Sequence, residues 1–200
     1  MQHYFIEKEH NAEDYFEFED EIADMKFKFK SCDSIFSKNE IDEGTRTLLN
    51  TIFDKVELNG NGLDLGCGYG VIGMSLIKKL GVNCDMVDVN GTAVDLARYN
   101  LMANGIRSGA KVFKSNGFEA VDGKYDFIVT NPPIKTGKKL LFELMEGSFS
   151  HLKLGGTLTL VIRKDHGEES LKKKLIEIFG NCEILKRNKG FYILYSIKTI

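Results

Sequence analysis

From residue 62 to residue 179 the chain alternates short apolar runs with stretches of helical period, and the connections between them are short. The runs at 62–66, 83–88, 110–114, 125–130 and 157–163 read as strands, and the intervening 71–80, 92–104, 138–152 and 168–179 read as helices. This order leaves little choice of fold. A strand, a helix and a second strand joined by short links force the two strands parallel with a right-handed crossover, and parallel strands need both faces covered. The expectation is an open α/β sheet with helices on either side.

The two ends depart from that pattern. The closing stretch "CEILKRNKGFYILYSIK" holds two apolar runs joined by Asn188-Lys189-Gly190, a hairpin signal, so the last strand pair should be antiparallel. Near the start, "KFKFKSCDSIFS" alternates apolar and charged residues on either side of Cys32-Asp33, which reads as a small hairpin with Phe27, Phe29, Ile35 and Phe36 facing the core. "DEGTRTLLNTIF" then turns helical, with Asp42 or Thr45 available as the cap and Leu48, Leu49, Ile52 and Phe53 on one face. The expected fold is therefore Rossmann-like: a mostly parallel open sheet with a C-terminal antiparallel hairpin and a small N-terminal hairpin extension. Residues 1–40 form the arm and hairpin, and residues 41–200 form the main domain.

Charge is unevenly spread. Residues 1–24 hold nine acids and one base, whereas the remainder holds 26 bases and 20 acids. The acidic opening carries Tyr4, Phe5, Tyr15, Phe16 and Phe18 among its charges, so it is expected to pack against the domain as an arm or short helix. The modestly basic body suits a protein that handles RNA, and equally suits ordinary solvated lysines. No apolar stretch approaches a membrane span, and "MQHYFIEKEH" lacks the basic-then-apolar order of a signal peptide, which points to the cytoplasm. Cys32, Cys67, Cys84 and Cys182 are scattered, with no CxxC pair and no histidine at ligand spacing, so neither a metal nor a disulfide is expected.

Two motifs carry the chemistry. Between the first strand of the series and its helix lies "LDLGCGYG", with Gly66, Gly68 and Gly70. Glycines at such a turn let the backbone approach a ligand, or they permit tight packing of helix on strand. Asp88, which closes the next strand, is placed to accept two hydrogen bonds from a ribose diol. A nicotinamide fingerprint has the spacing GxGxxG; this loop is GxGxG and is preceded by Asp64, which suits a ligand with an ammonium group better than a pyrophosphate. The loop favours S-adenosylmethionine.

The second motif holds both prolines of the chain, in "DFIVTNPPIKTGK". Asn131-Pro132-Pro133 ends the fourth strand of the series, and in an open parallel sheet that end lies beside the first strand's glycine loop. A stiff turn with a side-chain oxygen on Asn131 and the Asn131 and Pro132 carbonyls offers fixed acceptors for the two hydrogens of a planar amine. Acceptors that favour a pyramidal nitrogen localise its lone pair and aim it at a methyl donor, so catalysis would rest on positioning and need no strong base. The bland alternative is a rigid strand-ending turn.

Together these residues resemble the small-domain group of class I S-adenosylmethionine-dependent methyltransferases, and within it the ribosomal RNA guanine-N2 methyltransferases of the small subunit. The likeness runs over nearly the whole chain through "HYF", "IFSKNEIDEGTRTLL", "LDLGCGYGVIG", "VDVN", "NPPIKTGK", "VIRKDHG" and "KGFYIL". The resemblance implies cofactor contacts from Asp64, Gly66, Gly68, Gly70 and Asp88, adenine contact from Asn116 in "SNGF", and a lining of the cofactor's methionine end by Asp42, Gly44 and Thr45. It implies catalysis by Asn131 and Pro132, with Pro133 and Ile134 beside the base. Three departures stand out: Asn116 replaces the family's usual aspartate, Ile134 cannot stack as the aromatic of many amino-methyltransferases does, and the extra N-terminal half of larger bacterial relatives has no counterpart.

Lys138, Arg163 and Lys164 lie at or near strand ends on the same edge and are either phosphate contacts or solvated charges. His166 reads as a solvated loop residue. The implied activity is methyl transfer to an exocyclic amine, guanine N2 of ribosomal RNA or of a ribosomal subunit. Another RNA base, a protein glutamine amide, and a non-catalytic module that binds cofactor and RNA stay open as alternatives; a nicotinamide oxidoreductase is more remote.

Overall fold

The structure, a computed structural model, describes residues 15–33, 35, 40–133 and 137–200. Tyr4, Phe5, Phe36 and Ile134 lie outside them. The chain runs β1 (Tyr15–Ile22), β2 (Met25–Cys32), α1 (Glu43–Lys55), β3 (Asn61–Leu65), α2 (Val71–Leu80), β4 (Asn83–Asp88), α3 (Gly91–Ala103) and β5 (Val112–Lys114). It continues with β6 (Tyr125–Thr130), α4 (Lys138–His151), β7 (Leu152–Arg163), a 3-10 turn (Lys164–His166), α5 (Glu168–Phe179), β8 (Glu183–Asn188) and β9 (Phe191–Ile197).

Seven strands form one sheet in the order β5-β4-β3-β6-β7-β9-β8, parallel from β5 to β7 and antiparallel at β9 and β8. The successive strands β3, β4 and β5 step one way from the centre and β6 and β7 step the other way. The order therefore reverses between β3 and β6, and the crevice at their carboxyl ends is where open α/β sheets take ligands. Alternate residues of β6 face opposite sides: Phe127 and Val129 join the core under α1, α2 and α3, and Ile128 joins the core under α4 and α5. Both faces are covered, as a parallel sheet requires.

β7, the neighbour of β6 on the side away from β3, begins at Leu152 rather than at 157. Gly155 and Gly156 interrupt its apolar pattern, but their backbones still pair with Lys198. Among the described residues no helix is long and apolar enough to cross a membrane.

The N-terminal hairpin differs from the sequence expectation. Its turn lies at Ala23 and Asp24, both with positive φ, not at Cys32-Asp33, and the acidic stretch from Tyr15 packs on the domain as a strand rather than as a short helix or arm. The reason is charge complementarity across the pair: Glu17 faces Lys30, Glu19 faces Lys28 and Glu21 faces Lys26. Phe27, Phe29 and Ile35 are buried, as expected. The outer edge of β2 is taken by two amide side chains, Asn100 of α3 and Asn104 at its C-cap. Asn100 accepts from the Lys30 N–H at 2.7 Å and donates to its carbonyl at 3.0 Å; Asn104 does the same to Lys28 at 2.9 and 2.7 Å. These amides stand in for a third strand and pin the two-stranded sheet to the domain.

Candidate active site

The glycine loop follows β3 directly. Gly66, Gly68 and Gly70 have φ of 77°, 53° and 98°, a left-handed run that only glycine adopts without strain. Their surroundings separate two roles. A Cβ on Gly70 would sit 3.2 Å from the Ala97 Cβ of α3, so that glycine serves packing, whereas a Cβ on Gly66 or Gly68 would meet nothing within 4 Å. The open side of the loop faces the crevice. The Gly66 and Cys67 N–H groups both donate to the Val87 carbonyl at 2.9 Å, which fastens the turn to the end of β4.

Two carboxylates flank the loop. Asp64 is fully buried in β3; its Oδ2 accepts from the Gly73 N–H at 2.9 Å, and its buried Oδ1 has no hydrogen-bond partner among the described residues. Burial pushes its pKa up to about 7, with the charge of Asp88 adding to the shift. Asp88 accepts from the Gly68 N–H through Oδ2 and from the Asn90 N–H through Oδ1, each at 2.9 Å. Burial raises its pKa too, and those N–H bonds work against the rise. Beyond β5, Ser115 donates its N–H to the Asp88 carbonyl at 2.9 Å, which brings the exposed Asn116 to the same edge. The Asn116 Nδ2 donates to Glu119 Oε1 at 2.8 Å.

Across the strand-order reversal stands Asn131. The Thr130 hydroxyl donates to the Leu65 carbonyl at 2.7 Å and so ties the end of β6 to the end of β3. Asn131 is half-buried, and its Nδ2 donates to Thr45 Oγ1 at 3.0 Å and to Asp42 Oδ1 at 3.4 Å. Asp42, and not Thr45, is the cap of α1; its Oδ1 accepts from the Thr45 N–H at 3.0 Å. A Cβ on Gly44 would come within 3.0 Å of both that oxygen and the Phe191 ring, so glycine there lets the ring close on the cap. Pro132 is buried and Pro133 is exposed.

The basic residues gather on this edge as well. Lys138 is exposed at the start of α4, and its Cε lies 3.8 Å from the position of a Cβ on Gly167. Arg163 is exposed at the end of β7, donates to Asp165 Oδ1 at 3.2 Å and holds its guanidinium 5.6 Å from the centre of the Phe191 ring. Lys164 and His166 are exposed in the turn that follows. Thr130 and Phe191 are site neighbours that the sequence did not single out, because nothing local to either marks a contact this distant in the chain.

Residues 26–195 match the family described as "Methyltransferase small domain". The chain belongs to this family. Small-domain methyltransferases are S-adenosylmethionine-dependent enzymes of class I, and the present chain is one of them. A Bacillus subtilis relative, "Uncharacterized protein YbxB", is 38% identical over 201 residues and matches 99% of each chain. The "Ribosomal RNA small subunit methyltransferase C" of Haemophilus influenzae (strain 86-028NP) is 37% identical over 175 residues, 84% of this chain and 50% of the relative. Among solved structures, the T. thermophilus "16S rRNA N2 G1207 methyltransferase", in complex with AdoMet and guanosine, is similar with a TM-score of 0.84 at 25% identity, over 92% of this chain and 50% of that one. The chain thus spans about half the length of these two RNA-modifying relatives.

The residues present fit the family's cofactor. An orphaned, buried carboxyl oxygen on Asp64 suits a cationic donor, and the empty side of Gly66 and Gly68 leaves room for a ligand against the backbone.

Proposed function

We propose that this protein transfers a methyl group from S-adenosylmethionine to N2 of a guanine in small-subunit ribosomal RNA, in the cytoplasm. The observation that carries the reading is the placement of Asn131 at the carboxyl end of β6, its amide nitrogen tethered to α1 and its oxygen without a donor among the described residues, next to the glycine loop across the strand-order reversal. The similarity to the two ribosomal RNA methyltransferases supports guanine N2 as the acceptor.

In this reading Asp64 takes the cofactor's ammonium, Asp88 its ribose hydroxyls and Asn116 its adenine, with Gly66, Gly68 and Gly70 shaping the loop beneath. Bound S-adenosylmethionine supplies an electrophilic methyl on a sulfonium. The chain's own part is orientation. Asn131 Oδ1 and the Pro132 carbonyl accept from the guanine amine, which draws the nitrogen out of planarity and frees its lone pair for the methyl carbon. As the N–C bond forms, the donor's C–S bond would break with its electron pair kept by sulfur, leaving a neutral thioether, and the nitrogen would give its extra proton to water. Pro133 lies beside the base, and Lys138, Arg163 and Lys164 contact phosphates; Ile134, to which the resemblance gives the same role as Pro133, is outside the described residues. Residues 41–200 carry the transfer, and the hairpin of β1 and β2, the described part of residues 1–40, buttresses it.

The test is Asn131→Ala. Loss of one preorganised polar group from an active site should lower kcat by about a hundredfold or more, with cofactor affinity nearly unchanged. Normal turnover per folded molecule would make the motif only a rigid turn.

A further inference from the structure

We propose that Thr45 and Asp42 are positioning residues that fix which end of the Asn131 amide faces the substrate; the inference rests on the role given to Asn131 above. A primary amide presents an acceptor on one side and a donor on the other, and the two sides have nearly the same shape. A half-turn about the last side-chain bond would replace the oxygen by an NH2 group. That group would oppose the amine's own hydrogens where the oxygen accepts one, so an amide free to turn is catalytically half-wrong.

The structure shows what prevents the turn. Asn131 Nδ2 lies 3.0 Å from Thr45 Oγ1 and 3.4 Å from Asp42 Oδ1. The threonine hydroxyl can donate or accept, so by itself it does not choose an end. Asp42 Oδ1 does choose. It already accepts from the Thr45 N–H at 3.0 Å as the cap of α1, so this oxygen faces the amide as an acceptor. The end of Asn131 that faces it is therefore the NH2 group, and the hydroxyl of Thr45, close to the same nitrogen, accepts. The shorter bond belongs to Thr45 and the direction belongs to Asp42.

The lock is itself anchored. Ile41, one residue before the cap, donates its N–H to Asp20 Oδ2 at 2.8 Å, and the Arg46 Nε donates to the Ile41 carbonyl at 3.1 Å. Thr45 is 5% exposed, so its side chain has little room to find another rotamer. Thr45 thus has two separable duties. Its backbone N–H completes the helix cap, and its hydroxyl holds Asn131.

That separation makes the proposal testable. Thr45→Val keeps the shape, the backbone N–H and the cap, and removes only the hydroxyl. Steady-state methyl transfer to small-subunit ribosomal RNA should show kcat lowered by about ten- to hundredfold, the scale of a small misplacement at a reacting centre, while Tm stays at the wild-type value and any change in cofactor affinity is far smaller than the loss in kcat. Thr45→Ser, which restores the hydroxyl, should recover most of the lost kcat. Asp42→Gly reads the same lock through its other half, because glycine is tolerated at a helix cap. It should lower kcat in the same way if Thr45→Val melts early.

Wild-type kcat in Thr45→Val, or a loss confined to cofactor affinity, would overturn the proposal, as would a Thr45→Ser protein as slow as Thr45→Val. Asn131→Ala measured alongside tells the two levels apart. If it is slow while Thr45→Val is normal, only the lock is wrong. If it turns over normally, the role of Asn131 and the lock fall together.

Discussion

At the scale of residues, Asp64 makes the sharpest demand. Its pKa of about 7 follows from burial, and its free oxygen is the proposed seat of the cofactor's ammonium. A cation there pairs with the ionised form, so cofactor binding competes with the proton. Affinity for S-adenosylmethionine should rise with pH up to about 7 and level off above it; titration calorimetry across neutrality reads this directly. Asp64→Asn should lose the rise. The unliganded protein should show the opposite sign. Because the folded-state pKa is raised, the native state holds a proton that the unfolded chain has released, so this contribution to stability is greatest below the ordinary carboxylate value and declines as pH climbs to about 7. For Asp88, replacement by alanine should weaken cofactor binding by about 2 kcal/mol, the scale of hydrogen bonds to a charged group, and unchanged affinity in a folded mutant would remove it from the site. The placement of both carboxylates beside the glycine loop was legible in the sequence because each stands beside its own motif. The tether from Asn131 to Thr45 and Asp42 was not: its partners are 86 and 89 positions away, and no pattern local to either segment records the contact.

At the scale of elements, the parallel core could be read from hydrophobic period alone, and β4, β6, α2 and α5 have the expected bounds. The N-terminal hairpin could not be placed, for a physical reason. In "YFEFEDEI" the alternation that marks a strand is carried by a segment so acidic that charge hides it, and the compensating lysines lie in the next strand. Its attachment through Asn100 and Asn104 is a tertiary feature with no signature in sequence. That attachment reaches the site. Asn100 also donates to the Tyr69 carbonyl at 2.9 Å, and the Tyr69 ring meets Phe18 and Phe29 edge-on, so hairpin and glycine loop share one packing unit. Asn100 is fully buried, and Asn100→Ala should cost about 2 kcal/mol or more because it strands the polar backbone of Lys30 and Tyr69. Asn104→Ala, at a more exposed place, should cost about 1 kcal/mol. Urea denaturation checks both, and equal small losses would show that the amides do not hold the hairpin.

At the scale of the whole molecule, the acids concentrated in residues 1–24 are partly spent on the hairpin's own lysines, and the remaining surface is left basic. Lys138, Arg163 and Lys164 lie on the edge where the proposed substrate enters. RNA affinity should therefore fall as salt rises, and alanine at any one of the three should make the logarithmic slope shallower by about one unit. An affinity flat in salt would argue for a different substrate class. The chain covers about half of its two RNA-modifying relatives and nearly all of the Bacillus protein. The central claim is the identity of the methylated group, and one measurement reaches it: incubate the protein with labelled S-adenosylmethionine and small ribosomal subunits or their RNA, digest to nucleosides and locate the label. The account predicts label in N2-methylguanosine from small-subunit RNA. Label in another nucleoside or in ribosomal protein, or none at all from a protein that binds the cofactor, would contradict it.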